Sequence, residues 1–302
     1  MRGMRLISVL SLIALALAPQ TAPDTEVFLA RLAVEGGKVT LSEVENISNS
    51  PGYDNQPSFT RDGGAVFFTS ARGGVPQGGT AAQMDIYKYD IGAKAVGRVT
   101  NTPESEYSAT VTPDGRYISV IRVEADKTQR LWKFPLSDGE SSLVFEAVKP
   151  VGYHVWLDAN TVAMFVLGEP ATLQVGDVRT GKAEIVAKDI GRSLQPVPGG
   201  GISFVQRAGQ GELRSMTVSQ LTIHDGRPTV TALTTTAPGA TEEFVVWTPD
   251  GTMLMAAGGH LHAWRRGEQW RAVADLASVG LRNVSRLAVS PKGDRIALVA
   301  AR

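Results

Sequence analysis

A unit of two short strands around a tight turn recurs along this chain of 302 residues and constrains its fold more than any other feature. The copy at residues 107–122 shows it clearly, with Pro113-Asp114-Gly115 between two runs rich in Val, Ile, Thr and Tyr. Proline presets φ at one turn position, and glycine accepts the positive φ that follows an aspartate. The flanking runs are too short for helices, so the pattern predicts a β-hairpin.

Related turns follow one another at intervals of about 40 to 52 residues, a period typical of four-stranded propeller blades. The sixth copy stops at Arg302 after two strands. Residues 27–32 and 39–44 match the third and fourth strands of the other copies, with no first half before them. The two ends of the chain are therefore predicted to complete one blade between them.

These observations predict an all-β fold, a six-bladed β-propeller of four-stranded antiparallel blades. Pairing N-terminal with C-terminal strands in one shared blade would close the ring and leave no long unpaired sheet edge. The alternatives are a β-sandwich with similar strand spacing and an open stack of sheets.

The first residues are predicted to lie outside this fold. Arg2 and Arg5 precede an apolar run of about 13 residues, which is too short to span a bilayer and typical of a secretory signal. We predict a signal peptide over residues 1–22, with an uncertain cleavage site, and a single propeller domain over residues 23–302. We therefore predict a periplasmic or secreted protein that has no transmembrane segment once the signal is removed. A retained N-terminal anchor is the alternative.

Composition excludes several classes of function. Thirty acidic and thirty basic residues give a net charge of zero, without the basic excess of nucleic-acid-binding proteins. The absence of cysteine excludes thiolate metal sites, cysteine nucleophiles and disulfides.

The repeats resemble a known family. The run from Val66 to Gly74, the later Asp85-Ile86-Tyr87, and the turns Thr112-Pro113-Asp114-Gly115 and Thr248-Pro249-Asp250-Gly251 are similar to the WD40-like (PD40) repeat of TolB-type propellers. The resemblance implies a six-bladed propeller exported to the cell envelope. TolB itself carries a separate α/β domain before its propeller, for which this chain leaves no room ahead of Val27.

No catalytic constellation is recognisable in the sequence. It lacks a Gly-x-Ser-x-Gly elbow, a His-Glu-x-x-His pair and a phosphate-binding loop. His260 and His262 share one face of a strand and could chelate a metal, but their positions match aromatic packing residues of other copies. We therefore predict no catalytic residues, no metal and no cofactor.

The best candidate site is the ring of residues that lead into the first strand of each blade, because these strands line the central channel of a propeller. The alternative is that they are ordinary solvated connections between blades. The candidate ligand-binding residues are Asp54, Asn55, Gln56, Glu104, Glu106, Tyr107, Tyr153, His154, Arg192, Gln195, Glu242, Glu243, Arg282 and Arg286.

This mixture of carboxylates, guanidinium groups and aromatic rings suits a peptide, a polar saccharide or a protein loop. We predict a monomeric, non-enzymatic binding or scaffold propeller that contacts a protein or another cell-envelope component through one face. The alternative function is a metal-assisted polysaccharide lyase or hydrolase, with His154 and acidic residues at the channel mouth.

Overall fold

A computed structural model describes residues 23–35, 38–75, 81–209 and 215–302 of the protein. These residues form six antiparallel sheets of four strands each, which confirms the predicted all-β, six-bladed propeller. The predicted signal segment, residues 1–22, and most of the glycine-rich loop between Gly73 and Gly79 lie outside the described residues.

Five blades are built from consecutive strands. Blade 1 contains β3 (Asp54–Phe59), β4 (Ala65–Ser70), β5 (Asp85–Asp90) and β6 (Ala95–Arg98). Blade 2 contains β7 (Ser105–Val111), β8 (Tyr117–Val123), β9 (Gln129–Pro135) and β10 (Ser142–Leu143). Blade 3 contains β11 (Val151–Trp156), β12 (Thr161–Val166), β13 (Thr172–Asp177) and β14 (Lys182–Lys188).

The next two blades repeat this plan. Blade 4 contains β15 (Ile190–Pro196), β16 (Ile202–Ala208), β17 (Ser215–His224) and β18 (Arg227–Thr235). Blade 5 contains β19 (Val245–Trp247), β20 (Met253–Ala257), β21 (His260–Trp264) and β22 (Arg271–Asp275). A single 3₁₀ turn, Ala277–Val279, follows blade 5.

Blade 6 joins the two ends of the chain. It contains β23 (Leu287–Val289) and β24 (Arg295–Ala301) from the C-terminal end, with β1 (Thr25–Glu35) and β2 (Lys38–Asn46) from the N-terminal end. Strands β1 and β24 pair without interruption from Thr25 opposite Ala301 to Arg31 opposite Arg295. The shared blade predicted from the two half-units is confirmed, and it closes the ring.

The first strand of each blade, the inner strand, borders the central channel. Each inner strand contacts the next around a closed circuit that runs through β3, β7, β11, β15, β19 and β23 and back to β3. All six inner strands therefore begin at the same end of the channel, here called the mouth, and end in hairpins at the opposite end.

These hairpins use one turn chemistry in three blades. Thr60, Thr112 and Thr248 each donate a hydroxyl hydrogen bond, of 2.6, 2.6 and 2.5 Å respectively, to the aspartate two residues later. The glycine that follows each aspartate has a φ of +72°, +72° and +83°, which glycine adopts at little steric cost. The conspicuous Thr-Pro-Asp-Gly motif thus builds hairpins away from the mouth.

The core lies between neighbouring blades. Phe67 and Ile86 of blade 1, for example, pack against Ala109, Ile118 and Val120 of blade 2, and all five are almost fully buried. Burial of each large apolar side chain contributes about 1.5–3 kcal/mol. Among the residues that the structure describes, no helix is long and apolar enough to cross a membrane.

Tryptophans on two inner strands are matched by serines on the preceding blade. The indole of Trp156 donates to Ser119 Oγ at 2.9 Å, and that of Trp247 donates to Ser203 Oγ at 2.8 Å. Both serines are fully buried. A small hydroxyl residue thus makes room for the large ring and satisfies its N–H, which would be costly to bury unpaired.

Candidate functional site

Six residues, one from each blade, surround the mouth where the inner strands begin. Together they line three adjoining cavities of about 560, 630 and 270 Å³. We call this set the mouth ring; it consists of Tyr53, Tyr107, Tyr153, Arg192, Phe244 and Arg286. Arg192 is exposed and the other five are half-buried, so the ring presents aromatic and cationic groups to a ligand that enters the channel.

Arg286 organises one side of the mouth ring. Its Nη2 donates to Tyr153 Oη at 2.6 Å. Its guanidinium carbon lies 4.9 Å from the centre of the Tyr153 ring and 4.0 Å from that of Phe244, which is within the range of cation–π attraction. These contacts hold the arginine between two aromatic rings, so little side-chain freedom remains to be lost when a ligand binds.

Gln56 ties the inner strands of blades 1 and 2 together beneath the ring. Its Oε1 accepts hydrogen bonds from Thr69 Oγ1 at 2.8 Å and from the Ser108 backbone N–H at 2.9 Å, and its Nε2 lies 3.4 Å from Tyr153 Oη. Gln56 and Ser108 both have positive φ, +58° and +55°, where strand register shifts. These bulges re-aim side chains towards the channel.

Several predicted site residues point away from the channel. Asp54, Glu106, His154 and Glu243 are all buried, and each neighbours an aromatic member of the mouth ring in sequence. Successive residues of a strand face opposite sides, so the aromatic side chain faces the mouth and its polar neighbour enters the gap between blades.

The three buried carboxylates have arginine partners. Glu106 lies 3.1 Å from Arg122 Nε and accepts from Thr102 Oγ1 at 2.5 Å. Glu243 accepts from both Nη2 and Nε of Arg207, at 2.5 and 2.9 Å.

The third pair, Asp54 with Arg72, is longer, at 3.4 Å. Burial raises the pKa of the Asp54 and Glu106 carboxyls, and their arginines and hydroxyl partners offset this only in part. The Glu243–Arg207 pair joins blades 4 and 5, whereas the Asp54–Arg72 and Glu106–Arg122 pairs lie within blades 1 and 2. The carboxylates of all three pairs are buried and do not face a ligand.

His154 is also held inside the protein. Its Nε2 lies 2.6 Å from Ser119 Oγ, the same oxygen that accepts the Trp156 N–H. Burial lowers the pKa of His154 to about 3, so the imidazole is neutral at physiological pH. Its buried Nδ1 has no hydrogen-bond partner among the described residues, and the acid that would complete a Ser-His-Asp triad is therefore not found there.

The remaining predicted residues are divided between the cavities and the surface. Gln195 lines the channel, while Asn55 and Glu242 line the cavity beside the mouth. Glu104 offers its backbone carbonyl to Gln83 Nε2 at 2.8 Å, and neither its side chain nor the exposed Arg282 lines the channel or mouth cavities.

Sequence reasoning missed Tyr53 and Phe244, two members of the mouth ring. The signal was available, because Tyr53-Asp54 and Glu243-Phe244 repeat the adjacency of an aromatic and a buried polar residue seen at Glu106-Tyr107 and Tyr153-His154. Burial raises the pKa of Tyr53, with Arg286 and Arg192 lowering it in part, so its phenol stays protonated and can donate.

No group of three or more His, Asp or Glu able to hold a metal ion occurs among the described residues. His260 and His262 do lie side by side, with ring centres 6.3 Å apart. His260 Nδ1, however, is 3.0 Å from the Gly258 carbonyl, and His262 Nδ1 is buried with no hydrogen-bond partner in the described part of the chain.

Comparison with known proteins shows which solved structures share this architecture. No family model matches the sequence, and no curated protein matches it either. Among solved structures, a protein described as TolB from Agrobacterium tumefaciens superimposes with a TM-score of 0.64 at 14% identity, over 92% of this chain and 98% of that one. The fold is that of a TolB-type propeller.

The TolB-type fold is shared with enzymes. A gluconolactonase from Xanthomonas campestris superimposes with a TM-score of 0.61 at 8% identity, over 95% of this chain and 99% of that one. A TolB from Acinetobacter baumannii matches with a TM-score of 0.47 at 18% identity, over 68% of this chain and 51% of that one. Identities this low show the fold alone. At that level, the superposition on the Agrobacterium protein confirms the likeness to TolB-type propellers predicted from the repeats.

Proposed function

We propose that this chain is an exported binding propeller that holds a protein segment or another polar component of the cell envelope at the mouth ring. The observation that carries the proposal is the ring itself, to which six blades contribute three tyrosines, one phenylalanine and two arginines. Tyrosine and arginine are the residue types that dominate the energetics of protein interfaces.

Two further features support this function. The ring stands on the starts of six strands whose circuit is closed, and a rigid scaffold lowers the entropy lost on binding. Residues 1–22 have the charged and apolar regions of a secretory signal. Export to the periplasm, or beyond the cell, is therefore part of the proposal.

A binding role accounts for the site better than a metal-assisted lyase or hydrolase. Two residues that such an enzyme would use are buried against other partners: Glu243 is paired with Arg207 and His154 contacts Ser119. The six side chains of the mouth ring are aromatic or cationic, and these bind more readily than they transfer protons.

The proposal is tested by a binding screen of residues 23–302 against envelope proteins, peptidoglycan fragments and polysaccharides, followed by variants of the mouth. Tyr107→Ala removes an aromatic member of the ring. Tyr117→Ala is the matched control, because Tyr117 follows the hairpin at the opposite end of blade 2. We expect Tyr107→Ala to weaken binding about tenfold, as loss of an interface aromatic commonly costs more than 1 kcal/mol, and Tyr117→Ala to leave it unchanged.

Circular dichroism should show that both variants fold. Equal affinities of the two variants for a ligand found in the screen would show that the ligand binds elsewhere on the propeller. The proposed function would then be wrong in its choice of face.

A further inference from the structure

The channel carries positive charge without a matching negative charge. Arg192 and Arg286 line the channel cavity of about 560 Å³, and no aspartate or glutamate of the described residues lines it. Both arginines also line the neighbouring mouth cavity, whose acidic lining residues are the exposed Asp24 and Glu242 and the Arg207-paired Glu243. No carboxylate of the described residues lies within 4.0 Å of either guanidinium group.

This contrasts with the arginines placed just behind the ring. Arg72, Arg122 and Arg207 each have a buried carboxylate partner. The fold thus pairs these three guanidinium groups with buried carboxylates, and leaves the two that face the channel without a carboxylate in contact. Two like charges that share one cavity repel each other, and an anion placed between them removes that repulsion.

The hydroxyl groups beside these arginines are oriented as donors. Tyr153 Oη already accepts from Arg286 Nη2 at 2.6 Å and lies 3.4 Å from Gln56 Nε2. Its own O–H proton is therefore free to point into the cavity. The Tyr53 phenol, which also lines the mouth cavity, stays protonated because burial raises its pKa.

We infer that the mouth ring is an oxyanion-binding site, at which Arg192 and Arg286 hold a carboxylate group of the ligand and the Tyr153 hydroxyl donates to it. Guanidinium groups bind carboxylates through paired, charge-assisted hydrogen bonds. The aromatic walls formed by Phe244 and Tyr107 contact the part of the ligand that carries the carboxylate. The inference deepens the proposed function and rests on it, because the same face is used.

The experiment uses malonate, a small dicarboxylate, as its probe and malonamide as the neutral control of the same shape. Binding to residues 23–302 at low ionic strength is measured by calorimetry and by the Nε–H signals of the arginine side chains in NMR spectra. We expect malonate, but not malonamide, to bind in the millimolar range and to shift the signals of Arg192 and Arg286.

Variants locate the site. Arg192→Gln and Arg286→Gln should each weaken malonate binding about tenfold, since a charge-assisted hydrogen bond is lost. Arg282→Gln removes the same charge from an exposed residue outside the cavity linings and should leave binding unchanged. If Arg286→Gln fails to fold, the exposed Arg192→Gln still decides the outcome.

Equal weakening by all three substitutions would mean that only net charge matters and would overturn the inference. Tighter binding of inorganic phosphate than of malonate would overturn the assignment to a carboxylate. A screened envelope ligand whose binding is unaffected by malonate and by both ring variants would refute the inference and leave the proposed function intact. If malonate bound at the ring but the screen yielded no envelope ligand, the oxyanion-binding inference would stand and the proposed function would be refuted.

Discussion

Neighbouring residues at the mouth have opposite structural roles, and Glu242 and Glu243 show this most directly. Glu242 is exposed, whereas Glu243 is buried and accepts hydrogen bonds from two atoms of Arg207 and from the Arg192 backbone N–H at 2.6 Å. The sequence places both at the start of the inner strand of blade 5 and does not distinguish them.

We expect Glu243→Gln to lower the free energy of unfolding by about 2–4 kcal/mol, because it breaks a buried ion pair and leaves the Arg207 charge without its partner. Glu242→Gln is the matched control and should change stability by less than about 0.5 kcal/mol. Urea denaturation of both variants measures the difference. Two equally small effects would contradict the structural role assigned to Glu243.

His154 makes stability depend on pH. Its pKa is about 3 in the folded protein and 6.5 as its ordinary value, so between these values the unfolded chain binds a proton that the folded protein does not. The contribution of His154 to the free energy of unfolding is therefore fully present above pH 6.5. It is lost as the pH falls below that value, by about 1.4 kcal/mol per pH unit.

The His154→Gln variant should lack this contribution. As the pH falls from 6.5 to 5, we expect the wild type to lose more unfolding free energy than the His154→Gln variant. Asp54 and Glu106, whose pKa values are raised by burial, act in the opposite direction and are common to both proteins. Parallel pH profiles would show that His154 is not held neutral by burial.

At the scale of single elements, the sequence predicted the hairpins well because their chemistry is local. A threonine, an aspartate and a glycine within four residues suffice to specify the turn at Thr112. The faces of the inner-strand residues of blades 1 and 2 were harder to predict, because these strands bulge at Gln56 and Ser108 and a bulge changes which residues point inward. Tyr53 and Phe244 were missed although each adjoins a polar residue as Tyr107 and Tyr153 do. Asp54 and Glu106 were predicted to face a ligand and are buried instead.

Alanine substitutions at two glycines in equivalent hairpins would distinguish the cost of backbone strain from the cost of steric overlap. Gly115 and Gly201 have φ of +72° and +76°. A Cβ at Gly115 would lie no closer than 3.8 Å to another residue, whereas a Cβ at Gly201 would lie 2.2 Å from the Leu221 carbonyl oxygen. We expect Gly115→Ala to cost about 1–2 kcal/mol from its left-handed φ alone.

Gly201→Ala should lower the free energy of unfolding by at least about 1 kcal/mol more than Gly115→Ala does, since the β17 backbone must also move. Thermal unfolding of the two variants, followed by circular dichroism, gives the comparison. Equal losses would mean that the approach of β16 to β17 is looser than described.

At the scale of the whole molecule, closure of the ring depends on blade 6. Strand β1 has β24 along one edge over seven residue pairs, from Thr25 to Arg31. The incomplete units at the two ends predicted this closure, because strand patterns repeat along the chain. The ligand could not be predicted in the same way, since the mouth ring consists of unlike residues, one from each repeat.

Deletion of residues 284–302 should abolish cooperative unfolding. It removes β23 and β24, leaves β1 with an unpaired edge, and exposes the apolar faces of blades 1 and 5 that pack on the shared blade. A chain that lacks only Arg302 is the control and should unfold as one transition. A truncated protein that melted like the intact one would refute closure through the shared blade.

Site-specific photo-crosslinking tests most directly whether the mouth ring is the ligand-binding face. Benzoylphenylalanine replaces Tyr107 at the mouth in one protein and Tyr117 at the opposite end of blade 2 in another. Each is irradiated with a ligand identified in the screen, with and without excess malonate. We predict an adduct at position 107 only, reduced by malonate, whereas an adduct confined to position 117, or equal at both, would contradict binding at the mouth ring.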